Sequence, residues 1–236
     1  MAKYTLDQLT RMIDHTILRA DATTVDIENL CNEAKKYHFA SACFNPAKVS
    51  VAAPVLAGTD IKACSVVGFP LGQNTIEVKV FETETALANG ATEIDYVINI
   101  SEAKEGNWDY IKQEMEEIVA VCNKYKVLSK VIFENCYLTK DEIAKLCEIA
   151  SEVKPSFVKT STGTTSSGAT VEDVALMAKM TPDEIGVKAS GGVRTADNFI
   201  DMIKAGATRV GASAGVAIIE ELKERYFANG EEYLEI

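Results

Sequence analysis

Two kinds of apolar segment alternate along the chain. The first kind is short and rich in β-branched residues: MIDHTIL (12–18), ASACFN (40–45), IKACSVVGF (61–69), TEIDYVINI (92–100), LSKVIFEN (128–135), PSFVKTS (155–161), EIGVKAS (184–190) and TRVGAS (208–213). Most are apolar at both odd and even positions, the pattern of strands covered on both faces. The second kind is longer, with apolar residues three, four and seven apart. Ile27, Leu30, Cys31 and Ala34 form one such run; Ile111, Met115, Ile118, Val119 and Cys122 another; Ile143, Leu146, Cys147 and Ala150 a third. That spacing puts one apolar stripe on a helix.

Helix boundaries are also written locally. Asn74-x-x-Glu77 and Thr139-x-x-Glu142 read as capping boxes, in which the first side chain accepts from the helix's free N–H groups and the acid reaches back. Thr170 and Thr195 are expected caps, and Gly90 and Gly206 follow helical runs where a left-handed residue is needed. The β-then-helix unit repeats without a Pro/Ser-rich linker or a charge block, so one domain, 1–236, is expected. Such repeats imply parallel strands with right-handed crossovers. Eight units in 236 residues match a (β/α)8 TIM barrel of the α/β class. The alternative, an open doubly wound sheet, usually carries G-x-G-x-x-G after its first strand, and that is absent.

Composition narrows the function. Lys+Arg 24 against Asp+Glu 35 gives a net charge of −11, so a nucleic-acid partner is not expected, since backbone phosphates need basic surface. An anionic ligand must be held by a local site against the overall field. No apolar run approaches the length of a membrane span, and MAKYTLDQLTRMIDHT lacks the core of a signal peptide. The six cysteines include no C-x-x-C pair and there are two histidines, His15 and His38. No metal is therefore expected, and the thiols read as free in a cytoplasmic protein.

Two segments resemble each other: Val158-Lys159-Thr160-Ser161-Thr162-Gly163 and Val187-Lys188-Ala189-Ser190-Gly191-Gly192. Their lysines are 29 residues apart, one βα unit, so they should lie at matching heights near the catalytic end of neighbouring strands. A lysine inside an apolar strand is costly unless paired, exposed or used. Two ammonium groups in one pocket disfavour each other, and desolvation pushes the same way. At least one should then be partly neutral, the condition for a Schiff base. Asp95 and Asp14 sit in apolar strands as candidate partners, Asp95 as a proton relay and Asp14 as an anchor. Lys130 could pair with either, and Glu134 could be a rim acid or orient a lysine. Cys43 lies at a strand end near the expected pocket.

Three loops after strands offer anion-binding chemistry: Ser161-Thr162-Gly163-Thr164, Gly191-Gly192-Val193-Arg194 and Gly211-Ala212-Ser213. Glycines let backbone N–H groups approach an anion, and the next helix presents its positive end. Barrels often bind phosphate at their last loops.

At FVKTSTG, GVKASGGVRTA, EIDYVIN and DHTIL the chain resembles the deoxyribose-phosphate aldolases, over nearly its whole length. The resemblance implies a class I, Schiff-base aldolase on a (β/α)8 barrel. It would cleave 2-deoxy-D-ribose 5-phosphate reversibly to D-glyceraldehyde 3-phosphate and acetaldehyde, with no cofactor or metal. By the same resemblance Lys159 would form the Schiff base, Lys188 would tune it and Asp95 would share proton transfer. Asp14, Cys43 and Thr162 would meet the sugar, and Lys130 is set beside them as a substrate-binding candidate from its place in the strand. Gly163, Gly191, Gly192, Arg194, Gly211 and Ser213 would hold phosphate. Family members often carry a second hydroxyl after Ser213, where this chain has Ala214. A tyrosine that in some relatives ends the chain and reaches the site has no counterpart at the same place, Tyr233 being three residues short of the end. A homodimer or homotetramer is expected.

Overall fold

The computed structural model describes residues 2–236. The strands are β1 (Lys3–Tyr4), β2 (Ile13–Ile17), β3 (Ser41–Phe44), β4 (Lys62–Val67), β5 (Glu93–Val97), β6 (Leu128–Ile132), β7 (Phe157–Lys159), β8 (Gly186–Ser190), β9 (Arg209–Ala212) and β10 (Leu234–Glu235). The helices are α1 (Leu6–Thr10), α2 (Thr24–Tyr37), α3 (Val49–Leu56), α4 (Ile76–Ala88), α5 (Ile100–Lys104), α6 (Trp108–Tyr125), α7 (Lys140–Val153), α8 (Val171–Met180), α9 (Ala196–Lys204) and α10 (Gly215–Tyr226). Strands β2 to β9 pair in chain order, all parallel, and β9 closes on β2. This is the (β/α)8 barrel, and each of the eight predicted strand segments supplies one stave.

Amphipathic helices wrap the barrel because each has one apolar stripe to bury. Ile27, Leu30, Cys31 and Ala34 of α2 are buried, as are Ile111, Met115, Ile118, Val119 and Cys122 of α6. Thr139 and Glu142 form the expected capping box on α7, and Thr170 and Thr195 cap α8 and α9. The expectation at Asn74 is corrected: α4 begins one residue later, with Thr75 at the cap and no capping side-chain bond to the backbone. Two unpredicted capping boxes, Thr5 with Gln8 and Thr23 with Asp26, start α1 and α2.

The C-terminus forms a short ribbon with the N-terminus. Leu234 and Glu235 pair antiparallel with Tyr4 and Lys3, and Ile236 is buried. This ribbon leads through α1 into the start of β2, so it sits at the N-terminal end of the staves. Tyr233 is exposed there, at the opposite end from the loops that follow the strands.

The strand interiors also differ from a uniformly apolar reading. In β5, Ile94 and Tyr96 join the main hydrophobic core, while Glu93 and Asp95 make ion pairs with residues of other strands. Barrel lumens are usually filled by branched apolar side chains. Here much of the lumen is ionic.

Candidate active site

Period-two alternation sends residues two apart on a strand to the same side. Register then brings Asp95 opposite Lys130, Lys159 opposite Lys188, and Lys188 opposite Arg209. The side chains converge. Asp95 Oδ2 accepts from Lys159 Nζ and Lys188 Nζ, each at 2.7 Å, and its Oδ1 accepts from Lys130 Nζ at 2.8 Å. Lys188 also reaches Asp14 Oδ2 at 2.6 Å. Arg209 donates to Asp14 at 2.7 Å and Lys130 to Glu93. Ser41 Oγ completes Asp14 at 2.7 Å. Four cations thus meet three carboxylates, nearly all out of reach of water.

Burial opposes ionisation of Asp95, but Lys130, Lys159 and Lys188 outweigh it and hold the carboxyl well below its usual range. Burial likewise opposes Asp14, and Arg209, Lys188 and Lys130 overcome it. At Lys188 the expected repulsion between strand lysines is present, from Lys130, but it is outweighed. Burial does act against the Lys188 charge, but Asp14 and Asp95 more than offset this and raise its pKa. Lys188 is a held cation, as is Lys130, raised in the same way by Asp95 and its neighbours against the penalty of burial.

Above this network the barrel opens into a cavity of about 300 Å³ at the C-terminal end of the strands. Lys159 is the one member of the network on its wall. Thr162, Gly163, Gly191, Gly192, Arg194, Gly211 and Ser213 also stand on this wall. Gly163, Gly191 and Gly192 have φ of +82 to +83°, a conformation L side chains resist. Gly211 is required for room: a Cβ there would lie 2.3 Å from Ser190 Oγ. Helix α10 starts beside Ser213 with Ala214 at its cap and no side-chain oxygen on its first N–H groups, which leaves them available to an anion.

Asp14, Cys43 and Lys130 do not line the cavity. All three are fully buried beneath it. Asp14 and Lys130 are occupied by the ion pairs, and Cys43 packs with Cys64, Val66, Leu18 and Phe69. Glu134 is 1% exposed at the end of β6, where its carboxylate accepts from the Thr162 N–H at 3.2 Å. It therefore orients the loop after β7. Cys43, Cys64 and Asp95 offer three metal-ligand atoms within 4.8 Å of one another. Three lysine ammonium groups already occupy the Asp95 oxygens, so a cation there would meet like charge, and the donor set does not suit one.

Sequence reading missed Glu93, Arg209, Ser41, Cys64, Thr16, Leu18, Arg19 and Ser190. Some were within reach. Glu93 stands two before Asp95, Arg209 two before Gly211, and Ser190 two after Lys188, so each shares a face with a residue already singled out.

Comparison with known proteins agrees with this geometry. The family model described as DeoC/LacD family aldolase matches residues 9–220. A deoxyribose-phosphate aldolase of Lactobacillus acidophilus is 58% identical over 223 residues, 94% of each chain. One of a Thermoanaerobacter species is 55% identical over 214 residues, 90% of this chain and 96% of that one. Among solved structures, the tetrameric deoxyribose phosphate aldolase of Aeropyrum pernix superposes with a TM-score of 0.86 at 34% identity, covering 93% of this chain and 92% of that one. The chain belongs to the DeoC/LacD family of aldolases.

Proposed function

We propose that this protein cleaves 2-deoxy-D-ribose 5-phosphate reversibly to D-glyceraldehyde 3-phosphate and acetaldehyde, through a Schiff base on Lys159. One observation carries the assignment: of the four cations in the network, only Lys159 stands on the cavity wall, with Asp95 and Lys188 directly behind it.

The neutral amine attacks C1 of the open-chain sugar, and loss of water gives an iminium. The C2–C3 bond breaks as the C3 hydroxyl gives up its proton. Its electrons pass into the iminium, leaving an enamine and releasing glyceraldehyde 3-phosphate. Protonation of the enamine carbon and hydrolysis return Lys159 and free acetaldehyde. Asp95, shared between the two lysines, and the charged Lys188 are the proton-handling groups nearest Lys159. The phosphate would rest on the glycine-rich loops after β7, β8 and β9, at the start of α10, with Arg194 and Ser213 beside it.

Reductive trapping tests this. Borohydride with acetaldehyde or substrate should label the peptide containing Lys159, and Lys159→Ala should stay folded and lose nearly all activity. Label on Lys188, or none, would overturn the assignment.

We further propose a homodimer or homotetramer in the cytoplasm. The Aeropyrum relative is described as a tetramer, and exposed Leu71, Val78, Phe81 and Tyr137 are large apolar groups suited to covering. No helix among the described residues is long and apolar enough to cross a membrane. Light scattering after gel filtration, and fractionation of cells, test these two statements.

A further inference from the structure

One polar group on the cavity wall is unused by the network or the phosphate loops. Ser190 is 4% exposed, and its Oγ has no hydrogen-bond partner among the described residues. Its backbone is engaged. The N–H donates to Thr160 Oγ1 at 3.2 Å, and the carbonyl accepts from Ala169 N–H at 2.9 Å. Only the hydroxyl is free, and a buried hydroxyl without a partner is costly. The side chain lies on the lumen side, two residues beyond Lys188, and its Oγ packs over Gly211, another wall residue.

Height fixes what it can meet. Lys159 and Lys188 are paired in register. Ser190 therefore stands about 6–7 Å further along its strand than Lys188, at ~3.3 Å per residue. The next residues, Gly191 and Gly192, belong to the anion-binding loop. A five-carbon chain held at C1 by Lys159, with its phosphate in those loops, must carry its C3 and C4 hydroxyls past this level.

We infer that Ser190 is a substrate-positioning residue, whose hydroxyl hydrogen-bonds a secondary hydroxyl of the open-chain sugar between the imine carbon and the phosphate. This rests on the aldolase reading. Acetaldehyde, a two-carbon fragment at Lys159, does not extend to Ser190, so Ser190 should matter for the sugar and for the released aldehyde but not for the enamine.

Ser190→Ala in the full chain separates these. Three rates are read: cleavage of deoxyribose 5-phosphate, cleavage of unphosphorylated deoxyribose, and exchange of solvent deuterium into the methyl group of acetaldehyde. Both cleavages should lose roughly five- to tenfold in kcat/KM, the effect of one neutral hydrogen bond, while exchange keeps its wild-type rate. Loss confined to the phosphorylated sugar would overturn the inference and make Ser190 a phosphate ligand. A matching fall in exchange would overturn it in favour of support for Lys159 or the fold. Unchanged cleavage would overturn it outright, with the aldolase reading intact. If wild-type protein neither exchanges nor cleaves, the aldolase reading itself fails, and the inference with it.

Discussion

Lys159 and Lys188 meet on a single carboxylate oxygen, each Nζ 2.7 Å from Asp95 Oδ2. Asp14 holds Lys188 from behind at 2.6 Å, and Lys159 alone faces the cavity. The two lysines are therefore unequal. One is anchored as a cation by two carboxylates, and its charge competes with that of the other for Asp95.

Replacing Lys188 by Leu removes this competitor and leaves Asp95 to Lys159. The ammonium form of Lys159 gains, so the pH at which imine formation is half-maximal should move upward, each unit corresponding to about 1.4 kcal/mol. Imine formation should be slow at pH 7 and recover in part as pH rises. Stopped-flow measurement of imine formation, separate from turnover, checks this. A uniform loss at every pH would show that Lys188 acts as a proton donor or anchor instead.

Arg194 is exposed on the cavity wall, so its contribution to phosphate binding belongs at the low end for a charged hydrogen bond, about 1.5 kcal/mol. Arg194→Ala should raise KM for deoxyribose 5-phosphate roughly tenfold and change cleavage of unphosphorylated deoxyribose little. Equal losses on both substrates contradict the phosphate role.

The buried network predicts the pH dependence of stability. Asp14 and Asp95 have folded pKa values below their unfolded ones. Their contribution is present above the unfolded value of about 3.9 and is lost as pH falls below it. Lys188, raised in the fold, contributes fully below about 10.4 and less as pH climbs through its folded value. Urea midpoints should therefore fall at both extremes. Asp14→Asn should lower stability at pH 7 and flatten the acid limb, and an acid limb as steep as wild type would refute the assignment of that limb to Asp14.

Metal removal should do nothing. The one close set of ligand atoms among the described residues, Cys43, Cys64 and Asp95, lies against lysine ammonium groups. Activity should survive prolonged dialysis against EDTA. Loss that zinc restores would sink the Schiff-base mechanism.

Much of this was written along the chain. Alternation of short β-branched and longer helical segments determined eight staves and their order, because period-two and period-3.6 patterns are local properties of the backbone. The paired V-K-x-S-x-G motifs placed Lys159 and Lys188 side by side, and the glycine loops marked the cavity rim. Tertiary structure decided what the strand charges do. Whether Asp14, Lys130 and Cys43 line the cavity or lie beneath it depends on barrel closure, which brings Asp14 to Arg209 across 195 residues. The sign of the shift at Lys188 depended on closure too. Two neighbouring lysines suggest repulsion, but Asp14 and Asp95 reach Lys188 from other staves and reverse it. Coulomb energies follow distance in space, and only the closed barrel sets those distances.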